Sequence, residues 1–204
     1  MTDPAELAKL FGDPVKAHHP KALNAFAPVE QNTRFTFFEL RRLGYPSHVA
    51  AALVGNIMQE CLMKGDINPA AAGDEGESIG ICQWNGKRRR ALAALAAQRD
   101  TTPDDLATQI AFLDRELQGR ERAAYRAIMA CRDVDEAAMT ACERFWRPGN
   151  PRDQRRVFYA KRILLILGGE KRPPASIYTD ATKRYMRGLR IRTRNKINKW
   201  FKRN

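Results

Sequence analysis

The sequence predicts a mainly α-helical domain with a basic C-terminal tail. Three observations predict it. Apolar residues recur at helical spacing from about Phe35 to Leu167. That spacing lapses over residues 65–86, a long loop rich in Gly and acids with room for a small hairpin. Gly168-Gly169 and Pro173-Pro174 then end it before a run of Lys and Arg. The chain has 204 residues, 44% hydrophobic and 29% charged, which suits one globular domain with appendages and excludes disorder throughout. The net charge of +13 predicts attraction to polyanions. No stretch approaches the roughly 18–20 consecutive apolar residues of a membrane span. Met1-Thr2-Asp3-Pro4 offers neither a basic n-region nor an apolar h-region, so the chain is not expected to direct its own secretion.

In order along the chain, residues 1–33 carry Pro4, Pro14, Pro20 and Pro28 around short apolar pieces and read as an N-terminal arm. The main domain is expected over 34–168. Phe35, Phe38 and Leu43 outline a short helix closed by Gly44-Tyr45-Pro46, and Ser47 is placed to cap a second helix running to Lys64 and ending at Gly65. After the loop come helical patterns at 87–98, at 104–118 with Leu106, Ile110, Leu113 and Leu117 in register, at 121–146 with a break near Asp133, and at 152–167 with Val157, Tyr159, Ile163 and Leu167. Residues 169–204 form a linker and tail. From Ala175 onward ten basic residues meet one acid, Asp180, a net +9. Met186, Leu189, Thr193, Ile197 and Phe201 recur there at helical spacing, which predicts a basic amphipathic helix once it has something to bind.

The four cysteines (Cys61, Cys82, Cys131, Cys142) form no CxxC pair, and His18, His19 and His48 stand at no zinc-ligand spacing beside them. Small buried thiols are the expectation. A pair between Cys61 and Cys82 is the alternative.

One acid stands out. On the helix from Ser47, at about 100° per residue, Val49, Leu53, Asn56 and Ile57 each fall within roughly 60° of Glu60. A carboxyl group thus continues an apolar stripe, where burial and the negative helix end both disfavour the charged form. A general acid needs that bias to hold a proton for a glycosidic oxygen. The competing reading has Glu60 facing solvent, or paired with one of the many arginines. The loop adds Asp74, Glu75 and Glu77, then Ser78, Gln83 and Trp84, where glycines let backbone lie close to a sugar chain. Two-carboxylate glycoside hydrolysis needs a second acid about 5–9.5 Å from the first. Asp74, between Gly73 and Glu75-Gly76, is the first candidate; a solvated turn is the bland reading of it.

Gly55-Asn56-Ile57-Met58-Gln59-Glu60, Asn68-Pro69, Gly73-Asp74 and Ser78-Ile79-Gly80-Ile81-Cys82-Gln83-Trp84 closely resemble the phage tail lysozyme family. The likeness continues through Arg88 to Leu95, Gln109 to Leu117 and Phe145-Trp146-Arg147-Pro148, and so covers about residues 35–167. It implies a lysozyme-like helical fold related to goose-type lysozymes and lytic transglycosylases. The implied reaction is cleavage of the β-1,4 bond between N-acetylmuramic acid and N-acetylglucosamine in peptidoglycan. It also implies that Glu60 is the catalytic acid, that Gln83 bonds substrate and that Ser78 supports the glutamate. Trp84 is a candidate for stacking on a sugar, with burial in the core as the other reading. Cys61 departs from the serine that many relatives carry after the glutamate.

Two outcomes stay open at this level. With a second carboxylate, water attacks and the enzyme is a muramidase, the favoured reading. Without one, the muramyl 6-hydroxyl attacks and leaves a 1,6-anhydro end, as in lytic transglycosylases. Neither route calls for a metal or cofactor. A different class is a non-enzymatic virion or ejection protein whose tail, residues 175–204, binds DNA, an anionic membrane or another virion subunit. The expected location is the phage particle, acting in the host wall; the alternative is host cytoplasm before holin-type release.

Overall fold

The computed structural model describes residues 29–170 apart from Lys64 and Gly65. The basic tail, its expected partners, and most of the expected arm lie outside the described residues. Within them the fold is helical: α1 (Gln31–Arg42), α2 (Ser47–Cys61), α3 (Gly86–Gln98), α4 (Leu106–Gln118), α5 (Arg122–Met129), α6 (Val134–Ala141) and α7 (Asp153–Leu167), with a π-helical turn at Cys142–Trp146. Two small antiparallel ladders interrupt them: β1 (Leu62–Met63) with β2 (Asp66–Ile67), and β3 (Ala72–Gly73) with β4 (Ser78–Ile79). No helix among the described residues is long and apolar enough to cross a membrane.

α2 is the axis of the body. Every residue from Val49 to Met58 is buried, and α1, α6 and α7 pack around it. Complete burial of side chains such as Leu53 and Ile57 contributes about 1.5–3 kcal/mol each. Gly55 permits the closest approach, because a Cβ there would lie 2.6 Å from the Arg156 carbonyl oxygen and the Ala160 nitrogen of α7. The site therefore depends on this crossing, which sets α7 directly against the end of α2.

The helix ends show how local and distant residues share the work. α1 starts at Gln31, earlier than the Phe35 periodicity suggests, because its cap comes from elsewhere: Asp66 accepts the backbone N–H groups of Asn32 (3.0 Å) and Thr33 (2.8 Å) and the Thr33 hydroxyl (2.8 Å). Its C-terminus is local. Gly44 (φ 99°) donates to the Arg41 carbonyl and Tyr45 to that of Leu40, a Schellman ending that only a left-handed residue closes without strain. Ser47 is the first helical residue of α2 rather than its cap, since the Pro46 carbonyl already accepts from Ala50 at 2.8 Å. α2 also stops at Cys61, short of the expected Lys64, because Leu62 and Met63 leave to pair with Ile67 and Asp66. The break near Asp133 is a cap: its carboxylate accepts from Asp135 and Glu136, both at 2.9 Å, and opens α6.

Gln109 anchors the long loop to the helices. This fully buried amide accepts from Ile81 N–H at 2.9 Å and donates to the carbonyls of Pro69 (2.8 Å) and Pro103 (2.7 Å). Its side chain also fills the place a Cβ on Gly80 (φ 75°) would take, so glycine is required there.

Candidate active site

Glu60 stands one turn beyond Asn56 on the same face of α2. Asn56 is fully buried, and its amide donates to the carbonyls of Ala52 and Ala138, each at 3.0 Å, which locks its carbonyl oxygen toward α7. There Arg156 completes the arrangement. Its Nε donates to the Pro151 carbonyl at 2.7 Å, its Nη1 to Asn56 Oδ1 at 3.0 Å, and its Nη2 to Glu60 Oε1 at 2.6 Å. The Arg156 side chain is 3% exposed and that of Glu60 18%. Among the described residues nothing bonds Glu60 Oε2.

Of the readings open for Glu60, pairing with an arginine is the one the structure shows. Glu60 does continue the apolar stripe, yet a buried guanidinium meets it through a short charge-assisted hydrogen bond. Arg156 was absent from the sequence-derived site, although the reasoning that singles out Glu60 also reaches it: Arg156 lies in register with Tyr159, Ala160, Ile163 and Leu167, all buried on α7. A charge on an apolar stripe needs a partner, and each of these two supplies the other's.

The neighbouring thiols are inert by environment. Cys61 donates to the Ile57 carbonyl at 3.2 Å, and burial pushes its thiol up to about 12. Burial pushes Cys82 well above the usual thiol range, with the charges of Glu116, Cys61 and Glu60 adding to it. Burial likewise pushes Cys142 up to about 11 against the opposing charge of Arg156. All four cysteines are buried and free, so Cys61 and Cys82 are not paired.

Asp74 is exposed at the tip of the β3–β4 hairpin, where Asp74 (φ 49°), Glu75 (φ 54°) and Gly76 (φ 92°) are consecutive left-handed residues. Such a conformation costs a non-glycine residue roughly 1–2 kcal/mol, and backbone strain of this kind gathers at ligand-binding turns. Ser78 Oγ donates to Asp74 Oδ2 at 2.6 Å, and Arg89 Nη1 holds the Gly76 carbonyl at 2.6 Å. Ser78 thus braces Asp74, whereas the resemblance pointed it at Glu60. Gln83 (φ 49°) is partly exposed, donates through Nε2 to the Gly80 carbonyl at 2.9 Å, and lies so close over Gly73 that no Cβ would fit there.

Of the two readings of Trp84, burial in the core is the one the structure shows, which corrects its place among the sugar-binding candidates. Its ring is 0% exposed, stands edge-on to Phe112 at 5.3 Å, and donates through Nε1 to Glu116 Oε2 at 2.7 Å. No face remains for a sugar. Glu116 also accepts from Arg88 Nε (2.8 Å) and Nη2 (2.7 Å), and the Arg88 guanidinium covers the Phe145 ring at 5.1 Å. Trp84, bridged to Ile79, therefore ties the end of the hairpin into the core.

The structure gathers Asp74, Ser78 and Gln83 on the hairpin, and Glu60, Asn56 and Arg156 where α2 meets α7. Among the described residues no group of three or more His, Cys, Asp or Glu could hold a metal ion. A family model described as phage tail lysozyme matches residues 31–167. Comparison with curated proteins gives no match.

Proposed function

Because this chain belongs to the phage tail lysozyme family, we propose that its peptidoglycan-degrading activity is that of a muramidase. It cleaves the β-1,4 bond between N-acetylmuramic acid and N-acetylglucosamine, with Glu60 as general acid. The observation that carries this reading is the state of Glu60: one carboxyl oxygen is fixed by a buried arginine, while the side chain keeps a share of exposure at the end of the buried helix. A proton donor must be both held and reachable.

In this mechanism protonated Glu60 passes its proton to the glycosidic oxygen as the bond to the anomeric carbon breaks. Positive charge develops on the sugar ring, and Asp74 is the carboxylate assigned to it, either stabilising that charge or taking a proton from the attacking water. Water supplies the hydroxyl to the anomeric carbon, leaving a reducing end. Ser78 keeps Asp74 oriented, and Gln83 is assigned to substrate binding from its partly exposed place beside Gly73. We assign the protein to the phage particle, where it opens the host wall.

The primary test is a zymogram. Glu60→Gln fills the same space without an acidic proton and is expected to clear no peptidoglycan while remaining folded; clearing by this variant rejects the assignment. Mass spectrometry of the products separates the two outcomes, since 1,6-anhydro muropeptides as the main product would replace hydrolysis by transglycosylation. Detection of the chain in purified particles tests the location.

A further inference from the structure

We infer that Arg156 is a positioning residue for proton transfer: it occupies Oε1 of Glu60, assigns the proton to Oε2, and stabilises the carboxylate that forms when the proton leaves. The inference rests on the assignment of Glu60 as the acid.

Geometry carries the first part. In a carboxylic acid one oxygen is the hydroxyl donor and the other a carbonyl acceptor. Arg156 Nη2 is an obligatory donor 2.6 Å from Oε1, and a guanidinium has no acceptor and does not give up its proton. Because the carbonyl oxygen of a carboxylic acid is a much stronger acceptor than its hydroxyl oxygen, this donor selects Oε1 as the carbonyl and places the acidic hydrogen on Oε2. Arg156 cannot swing away to release that oxygen. Its Nε and Nη1 are engaged with Pro151 and Asn56, and Asn56 is itself held by Ala52 and Ala138. One guanidinium thus joins α2, α7 and the segment ahead of α7, and through Asn56 also α6.

The second part follows from charge. As the proton moves to the glycosidic oxygen, Glu60 passes from neutral to negative beside a fixed positive group. A 3% exposed guanidinium is weakly screened, so the attraction grows along the reaction coordinate and is larger in the transition state than in the ground state. That difference accelerates the step. It also requires no movement at the moment of reaction, because Arg156 is already braced.

The experiment compares Arg156→Ala, Arg156→Lys and Glu60→Gln on soluble peptidoglycan fragments, with thermal melts of each. Arg156→Ala is expected to lower kcat about a hundredfold, the scale of losing one preorganised donor, with KM changed less than about threefold because the residue holds the acid rather than the sugar. Guanidinium at tens of millimolar, filling the vacated space, is expected to restore at least tenfold in kcat to Arg156→Ala and nothing to Glu60→Gln. Arg156→Lys keeps the charge but cannot reach Glu60, Asn56 and Pro151 together; it is expected to retain a cooperative melt and lose at least tenfold in kcat, and it carries the test if Arg156→Ala does not fold. Wild-type kcat in Arg156→Lys, or a folded Arg156→Ala whose loss guanidinium leaves untouched, overturns the role of Arg156. An active Glu60→Gln would instead reject the assignment of the acid, so the two failures are told apart.

Discussion

Glu60 and Glu116 are two glutamates on different helices, each met by an arginine from another segment, and their surroundings make them opposites. Glu116 is 2% exposed and accepts three bonds, two from Arg88 and one from Trp84, so both of its oxygens are occupied. Glu60 is 18% exposed and accepts one, leaving Oε2 without a partner among the described residues. The ion pair alone does not distinguish a structural glutamate from the proposed acid. What distinguishes them, among the described residues, is whether an oxygen is left without a hydrogen-bond partner on a side chain that keeps some exposure.

The comparison breaks most visibly if the two residues are exchanged for glutamine. Glu60→Gln is expected to lower turnover on wall fragments by about a thousandfold while the variant stays folded, at some cost in unfolding free energy because the amide still accepts from Arg156 but no longer balances its buried charge. Glu116→Gln is expected to cost stability alone. It weakens a largely buried charge pair and costs about 3 kcal/mol in denaturant unfolding, while kcat at a temperature where the variant is folded stays near wild type. Equal losses of turnover in both would mean that the saturated glutamate also takes part in chemistry.

Asp74 sharpens the contrast from the side of the hairpin. Asp74→Asn is expected to reduce kcat by about a hundredfold, read by initial rates, whereas Ser78→Ala, which only unties Asp74, should cost no more than about tenfold. Full activity of Asp74→Asn would move the second carboxylate elsewhere. A smaller effect is expected for Trp84→Phe, which removes one hydrogen bond to a buried carboxylate and should cost about 1.5–2 kcal/mol of stability with KM unchanged. A raised KM in a fully stable Trp84→Phe would reinstate a role in sugar binding that its burial argues against.

The smallest effect concerns the thiol next to the acid. Burial raises Cys61 from 9.0 to about 12, so above pH 9 the unfolded chain loses this proton while the folded chain keeps it. The unfolded state then binds fewer protons, and stability falls as pH rises. The contribution of Cys61 is fully present below about pH 9 and lost as pH climbs towards 12. Cys61→Ser keeps a donor for the Ile57 carbonyl and should flatten this decline slightly in urea melts between pH 8 and 11, with turnover at neutral pH unchanged. An equally steep decline in the variant would assign it to other groups.

Much of this was legible in local pattern. The periodicity outlined the helices, the break at Asp133 and the long loop, because spacing at 3.6 residues reports which face is buried without reference to any partner. The same logic isolated Glu60 as a charge on an apolar stripe, and the ordered motifs from Gly55 to Trp84 pointed to the family. Three things depended on the folded chain. Arg156 is 96 residues from Glu60, and no local spacing says which buried charge meets which. Trp84 follows a loop, and only the packing of α4 across it decides that the ring is enclosed against Phe112 and Glu116 rather than open to a sugar. Ser78 has a short side chain whose partner was set by the left-handed turn that brings Asp74 back within 2.6 Å. The sequence by itself determined which residue types face inward and that one of them is an acid at a helix end. Tertiary structure decided which oxygen of that acid an arginine occupies, because hydrogen bonds saturate and only the three-dimensional neighbours determine how many are made.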